Sequence, residues 1–218
     1  GYEHRKIPLE AQTFAKAVSS TYFKVDKRPD TVGDLKRLPE YDTDRMSVWL
    51  EPNGQYLVTL RGSKAEWGDF RSDLAIAAIG KKQEHSELQD LLDKFDSEGK
   101  TYDLAGHSLS TQYIIHSQHQ NSDKIYLFNS ASSPAMSGDY LDEIANDPSY
   151  THFVNPSDAV SEAIWQKMSD ETVENSYVAP YTYSPFVAHS ITNWYKDLEP
   201  AKEKEGDAPE EQQSNEPD

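Results

Sequence analysis

The stretch Thr101-Tyr-Asp-Leu-Ala-Gly-His-Ser-Leu-Ser-Thr-Gln112 has the pattern of a strand that turns into a helix at a serine. Its first five residues predict a short strand, and the apolar spacing over residues 109–119 predicts a helix directly after it. Ser108 stands at the junction, with Gly106 two positions before it and Ser110 two positions after it. A sharp turn from strand to helix needs small residues at these two positions, and it exposes the serine hydroxyl at the carboxyl end of the sheet. The motif therefore favours a nucleophilic serine, although serine is also a common N-terminal cap of helices.

Strands and helices alternate on both sides of this turn. The strongest local signal is a hairpin, in which Asn53-Gly54 joins two β-rich runs at 46–51 and 55–60. Further strands are predicted over 124–129 and 151–155, helices over 10–23 and 85–95, and a loop, either alone or with a helical turn, over 24–44. Alternating strands and helices favour a parallel sheet. The predicted fold class is α/β, with a mostly parallel sheet flanked by helices and an antiparallel hairpin at its N-terminal side.

Composition limits the class of protein. The chain has 218 residues, enough for one sizeable domain, which we expect over 1–198. Residues 199–218 carry eight acidic and two basic side chains without apolar periodicity, so we expect this acidic tail to be disordered. The net charge of −17 argues against nucleic acid as a partner. No apolar run approaches about 18 residues, which predicts no transmembrane segment, and the lack of cysteine leaves both secretion and a cytoplasmic location open.

A nucleophilic serine needs a base, and the base needs a carboxylate that orients it. In folds with this strand-to-helix turn the chain order is serine, acid, histidine. Asp158 follows the strand predicted over 151–155, and His189 lies in an apolar stretch near the end of the predicted domain. The intervals of 50 and 31 residues leave room for two strand-helix units and one further connection. Order and spacing therefore favour Asp158 as the orienting acid and His189 as the base.

Other histidines and acids are placed less well for this chemistry. His116 and His119 fall on the helix predicted after Ser108 and are expected to point away from it, and His152 is expected inside a strand. Four further residues either precede the serine or fall in a predicted polar loop: His4, His85, Asp142 and Asp147.

The oxyanion of an acyl-transfer intermediate needs backbone N–H donors. One is expected from Leu109, directly after the nucleophile and at the start of a helix. The second is expected from Arg61-Gly62-Ser63, which follows the strand predicted over 55–60. Gly62 lets the backbone turn, so that the N–H and hydroxyl of Ser63 can face the site. A plain turn after a strand is the alternative interpretation of this loop.

Several of these segments together resemble the class 3 (fungal-type) triacylglycerol lipases of the α/β-hydrolase superfamily. Leu57-Val-Thr-Leu-Arg-Gly-Ser63, followed by Trp67 and then Asp73-Leu74, resembles that family's strand, oxyanion residue and W-x-x-D-L segment. Its nucleophile elbow, acid loop and closing histidine motif are matched by Ala105-Gly-His-Ser-Leu109, by residues 153–160 and by Ala188-His189-Ser190 with Tyr195. The resemblance covers residues 10–196, in the family's order.

The resemblance implies roles for individual residues and for the whole chain. By its motifs, the nucleophile is Ser108, the orienting acid Asp158, the base His189, and the oxyanion hole Ser63 with Leu109. It implies an α/β-hydrolase-type fold that hydrolyses acylglycerols, phospholipids or soluble esters without a metal or cofactor. It also implies a short lid over 64–71, in which Trp67 and Phe70 make apolar contacts and which opens at a lipid interface.

Two hypotheses of function follow. The first is a serine ester hydrolase, lipase- or esterase-like, that cleaves acyl esters of lipids at a membrane or micelle interface, or small esters. The second is a catalytically inactive domain of the same fold that serves as an interaction or structural component. The serine at position 110, where the family has glycine, motivates the second, and the retained order of Ser63, Ser108, Asp158 and His189 favours the first. Oligomeric state is left open.

Overall fold

The structure of the protein, a computed structural model, describes residues 5–63, 85–132, 135–180, 184–196 and 198. Within them one eight-stranded sheet runs in sequential strand order. Its strands are β1 (Thr31–Val32), β2 (Leu35–Arg37), β3 (Met46–Leu50), β4 (Tyr56–Leu60), β5 (Tyr102–His107), β6 (Ser122–Phe128), β7 (Tyr150–Val154) and β8 (Tyr177–Val178). Pairing is antiparallel from β1 to β4 and parallel from β4 to β8. The acidic tail predicted over 199–218 lies outside the described residues.

Helices follow most of the parallel strands. They are α1 (Leu9–Ser20), α2 (Ser86–Ser97), α3 (Ser110–Ile115), α4 (Gly138–Asn146), α5 (Glu162–Lys167), α6 (Asp170–Glu174) and α7 (Pro185–His189), with 3₁₀ turns at Val25–Lys27, Pro39–Tyr41 and Ile191–Trp194. The predicted fold class, an α/β fold with a mostly parallel sheet, an antiparallel start and flanking helices, is confirmed. This architecture is consistent with an α/β-hydrolase-like fold.

The predicted hairpin forms β3 and β4. Met46 pairs with Leu60 and Leu50 pairs with Tyr56, so the two strands are fully in register. Gly54 in the connection has a φ of +86°, a conformation that side chains with a Cβ rarely adopt. This requirement explains why an Asn-Gly pair marks the turn so clearly in the sequence.

Each face of the sheet has its own hydrophobic core. On one face, α2 to α5 pack against strand side chains such as Val58, Leu104 and Leu127. On the other face, α1 and the Ile191–Trp194 turn pack against strand side chains that include Phe128 and Phe153. Because both faces are buried, the central strands are apolar throughout. The second core also fixes the C-terminal segment that carries His189.

The prediction of a loop over 24–44 is wrong in one respect, because this range contains β1 and β2. Val32 and Leu35 are both buried, and they pair with each other across the turn between these strands. Strands of two and three residues are too short to show an alternating pattern, so the sequence gives no signal for them.

Two further predictions are wrong, namely the end of the helix after Ser108 and the location of Asp142. The helix predicted over 109–119 ends at Ile115, where the hydroxyl of Ser117 donates to the carbonyl of Ile114 (2.7 Å). His116 and His119 therefore lie beyond α3. Asp142 lies in α4 and not in a polar loop, because the Ser137 side chain caps that helix and its apolar side is buried.

The amino end of the sheet holds a pair of buried carboxyl groups. Glu51, directly after β3, is 5% exposed, and Asp103 in β5 is fully buried. Burial, together with the neighbouring Asp103, raises the pKa of Glu51, and burial also raises the pKa of Asp103. The backbone N–H of Lys124 donates to the Asp103 carboxyl (2.8 Å). The raised pKa values mean that this pair of carboxyl groups holds a proton at neutral pH.

This proton predicts a pH-dependent stability. A raised pKa in the folded state contributes stability that is complete below the unfolded pKa and is lost as pH rises through the folded pKa. The free energy of unfolding should therefore decline from mildly acidic to alkaline pH. Glu51→Gln, which stays neutral, should reduce this decline by up to about 1.4 kcal/mol per pH unit in urea unfolding. The control is Glu40→Gln, which changes an exposed glutamate and should keep the wild-type dependence of the free energy of unfolding on pH. The same pH dependence in all three proteins would contradict the prediction.

Candidate active site

Ser108 occupies a strained turn between β5 and α3. Its φ is +61°, a value that residues other than glycine rarely adopt. The turn is held by backbone bonds: the Ser108 N–H donates to the Phe128 carbonyl (3.0 Å), and the Ser108 carbonyl accepts from the N–H groups of Thr111 (3.1 Å) and Ala131 (3.2 Å). The hydroxyl of Thr111 donates to the same carbonyl (2.7 Å). Neighbouring structure thus holds the serine in a conformation that it would not adopt alone.

The residues at positions 106 and 110 explain why the turn needs small side chains. A Cβ on Gly106 would lie 2.8 Å from Cδ1 of Ile114 and 3.0 Å from Oγ of Ser110. Ser110, in contrast, uses its side chain: its Oγ accepts from the His107 N–H (2.9 Å) and lies 3.0 Å from the Leu60 carbonyl oxygen. The serine at position 110 is therefore compatible with the turn and links its start to β4.

Gly106→Ala should test how tight this turn is. The added methyl group lies closer to Ile114 and Ser110 than side chains normally pack, so we expect the free energy of unfolding in urea to fall by about 1–3 kcal/mol. Gly138→Ala is the matched control, because its added Cβ would meet Nζ of Lys167 at an ordinary contact distance of 3.5 Å. Equal stability of the two variants would contradict a sterically closed turn.

The structure brings His189 between Ser108 and Asp158. His189 Nε2 lies 2.9 Å from Ser108 Oγ, and His189 Nδ1 lies 2.9 Å from Asp158 Oδ2. His189 is the last residue of α7, and Asp158 lies in the loop after β7. All three residues are buried, with exposures of 1%, 7% and 0% for Ser108, His189 and Asp158. An ionised Asp158 accepts the Nδ1 proton of neutral His189, which leaves the Nε2 lone pair facing the serine hydroxyl.

The surroundings of Asp158 keep it ionised. Burial acts to raise its pKa, but the adjacent His189 and the hydrogen bonds from His189, the Asn129 side chain and the Val160 N–H outweigh burial and lower the pKa of Asp158. Asn129 Nδ2 donates to Oδ2 (2.9 Å), and the Val160 N–H donates to Oδ1 (2.9 Å). The Ser161 hydroxyl donates to Oδ2 at 3.2 Å. The carboxylate therefore has a fixed orientation.

Asn129 is a site residue that the sequence reasoning missed. Its φ is +51°, and besides Asp158 its Nδ2 contacts the carbonyl of Ala188 (3.1 Å), the residue before the histidine. The indole N–H of Trp194 donates to Asn129 Oδ1 (2.7 Å), which fixes the orientation of the amide. Its place directly after β6, between the strands that precede Ser108 and Asp158, is the signal that would have found it.

The predicted oxyanion loop lies against the serine. A Cβ on Gly62 would be 3.1 Å from Ser108 Cβ and 3.0 Å from the His107 carbonyl oxygen, closer than side chains normally pack, so glycine favours this approach. Ser63 follows Gly62 and is half-buried, and Leu109 follows Ser108 directly before α3. The roles of Ser63 and Leu109 as oxyanion residues stay predictions. The predicted lid contacts, Trp67 and Phe70, lie outside the described residues.

Two other histidines, His152 and His116, contact partners other than Ser108 and Asp158. His152 in β7 donates from Nε2 to the carbonyl of Ile144 (2.9 Å), and burial lowers its pKa. His116 Nε2 lies 3.1 Å from the Tyr140 hydroxyl. In the described ranges, no three His, Asp or Glu side chains form a group that could hold a metal ion.

No protein-family model and no curated protein matches the chain. The likeness to class 3 lipases therefore rests on the motifs and stays a hypothesis. Of the helices in the described part of the chain, none is both long enough and apolar enough to cross a bilayer.

Proposed function

We propose that the protein is a serine hydrolase of carboxylic esters, with Ser108 as its nucleophile. The observation that carries this proposal is the position of His189, which lies 2.9 Å from both Ser108 Oγ and Asp158 Oδ2. A nucleophile, a base and an orienting carboxylate in hydrogen-bond contact are the minimum set for acyl transfer through a serine. The strained φ of Ser108 adds support, because strain at a polar residue is common at catalytic sites.

The chemistry follows from these contacts. Ser108 Oγ attacks the ester carbonyl carbon while His189 Nε2 takes its proton, and the carbonyl electrons move onto the oxygen. The backbone N–H groups of Leu109 and Ser63 stabilise that oxyanion. The intermediate collapses to an acyl-serine, and the leaving alcohol takes the proton from His189. Water then attacks the acyl-serine while His189 Nε2 takes its proton, and collapse of this second intermediate releases the carboxylic acid and returns the proton to Ser108. In both half-reactions the Asp158 carboxylate stabilises the imidazolium of His189.

The substrate class is proposed from the resemblance to class 3 lipases. Members of that family act on acylglycerols, phospholipids or soluble esters, so we propose acyl esters of lipids or small esters as substrates. Trp67 and Phe70 stay predicted lid contacts. The negative charge of the chain, −17, speaks against binding by simple attraction to anionic lipid, so contact with a lipid surface would depend on apolar groups.

A fluorophosphonate probe tests the proposal before any substrate is known. The folded protein should be labelled, and peptide mass spectrometry should place the label on Ser108. Ser108→Ala should not be labelled, whereas Ser97→Ala, which alters an exposed serine at the end of α2, should be labelled like the wild type. A panel of p-nitrophenyl esters and phospholipids then defines the substrate class.

The inactive-domain hypothesis predicts the opposite result. A domain that keeps the fold without the activity would not react with the probe, either alone or in detergent micelles. Labelling at another serine in both wild type and Ser108→Ala would also exclude Ser108 as the nucleophile.

A further inference from the structure

A buried chain of hydrogen bonds runs behind the candidate active site. The backbone N–H of Gly62 donates to the Tyr22 hydroxyl (3.0 Å), and this hydroxyl lies 2.6 Å from His107 Nδ1. His107 Nε2 lies 2.8 Å from the carbonyl oxygen of His189. Tyr22 is 2% exposed and His107 is fully buried. These hydrogen bonds therefore join the oxyanion loop to the backbone of His189 through the side chains of Tyr22 and His107.

The direction of each bond follows from the chemistry of its atoms. A backbone carbonyl only accepts, so His107 Nε2 carries a proton and donates it to His189. In neutral His107 the other nitrogen, Nδ1, then accepts, and the Tyr22 hydroxyl donates to it. The oxygen of the same hydroxyl accepts from the Gly62 N–H. All three bonds thus run in one direction, from the oxyanion loop to the histidine, and bonds of this kind strengthen one another.

We propose that Tyr22 and His107 are positioning residues for hydrolysis, which couple the oxyanion loop to the base. The inference rests on the proposed function. His107 fixes the His189 carbonyl and also packs against the His189 ring, with ring centroids 4.9 Å apart. Tyr22 fixes Gly62, which contacts Ser108 and precedes the predicted oxyanion donor Ser63. Tyr22 and His107 together therefore set two positions relative to Ser108 Oγ. One is the position of His189 Nε2, and the other is the position of the oxyanion loop.

The structure explains why these two residue types are needed. Tyr22 follows α1, whose packing on the sheet fixes its ring, and the hydroxyl reaches two groups from different elements. His107 is the last residue of β5, next to the nucleophile, and it offers an acceptor and a donor on opposite sides of one rigid ring. A catalytic set works only when its supporting contacts hold it within a fraction of an ångström.

Two substitutions of His107 separate the effects of its two hydrogen bonds, one through Nε2 and one through Nδ1. The amide of His107→Gln can reach the position of Nε2 and donate to the His189 carbonyl, whereas the shorter amide of His107→Asn reaches only the Nδ1 position. We expect His107→Asn to lower kcat about tenfold with little change in KM, and His107→Gln to restore most of that loss. Tyr22→Phe removes one hydroxyl without a large cavity and should also lower kcat about tenfold.

The control is Tyr126→Phe. It removes a tyrosine hydroxyl that donates to the Glu10 carboxylate (3.2 Å), and it should leave kcat unchanged. All variants are compared with the wild type under conditions where urea unfolding shows that each is fully folded. A merely structural role would lower the free energy of unfolding without a selective effect on kcat, and it would not distinguish His107→Gln from His107→Asn.

A spectroscopic measurement does not depend on turnover. Long-range ¹H–¹⁵N NMR of the wild type should show neutral His107 with its proton on Nε2. A proton on Nδ1 would overturn the inference, as would wild-type kcat in Tyr22→Phe and His107→Asn while turnover still depends on Ser108. If the wild type shows no Ser108-dependent labelling or turnover, the proposed function fails and this inference fails with it, so the two failures are distinguishable.

Discussion

Ser108→Ala is expected to lower kcat/KM for a p-nitrophenyl ester by at least about 10⁴-fold. The alanine variant has no atom that can attack the carbonyl carbon, while His189, Asp158 and the oxyanion donors stay in place. Residual catalysis would then come only from binding and from stabilisation of the oxyanion. Steady-state kinetics with the purified variant measure the effect.

The fold should tolerate this change. Alanine has the same steric restriction at φ +61° as serine, and the bonds that hold the turn involve the backbone N–H and carbonyl of residue 108, which alanine retains. Urea unfolding should therefore give a free energy close to that of the wild type. Ser97→Ala serves again as the control and should keep full turnover. Unchanged turnover in Ser108→Ala would falsify the assignment of Ser108 as the nucleophile.

The sequence predicts the local features of this fold well. Asn53-Gly54 marks the hairpin and the small residues at 106 and 110 mark the turn at Ser108, because both backbones exclude larger side chains. The two-residue strand β8 has no such signal, since its pairing depends on β7 and not on its own residues. The early end of α3 is set by polar side chains after Ile115, which the apolar spacing does not reveal.

The candidate site can be predicted only in part. Ser108 and Asp158 follow parallel strands, and the carboxyl ends of such strands meet at one edge of a sheet, so chain order indicated which side chains would meet. The contacts that orient them are not local. Trp194 bonds to Asn129 from 65 positions away, and Tyr22 reaches His107 from 85 positions away. Only tertiary packing brings such residues together, and no short pattern encodes them.

Asp158→Asn is the second substitution with a large expected effect, a loss of about 10³-fold or more in kcat. Three donors converge on Oδ2, from His189, Asn129 and Ser161, and the Val160 N–H meets Oδ1. An asparagine with its amide nitrogen toward His189 forces Nδ1 to accept, so Nε2 carries the proton and cannot take one from Ser108. In the opposite orientation, the amide nitrogen faces the Val160 N–H. Both groups are then donors, so this hydrogen bond is lost.

Both orientations also remove the negative charge that stabilises the imidazolium during attack. Because the environment lowers the pKa of Asp158, the wild-type carboxylate stays charged throughout the neutral range, and the loss should persist at every pH in that range. The control is Asp142→Asn, an exposed acid in α4 that should keep wild-type kcat. Stopped-flow or steady-state kinetics on folded protein measure the difference. If Asp158→Asn keeps a tenth or more of the wild-type kcat, the carboxylate does not orient the base, and the hydrogen bond to His189 serves only the fold.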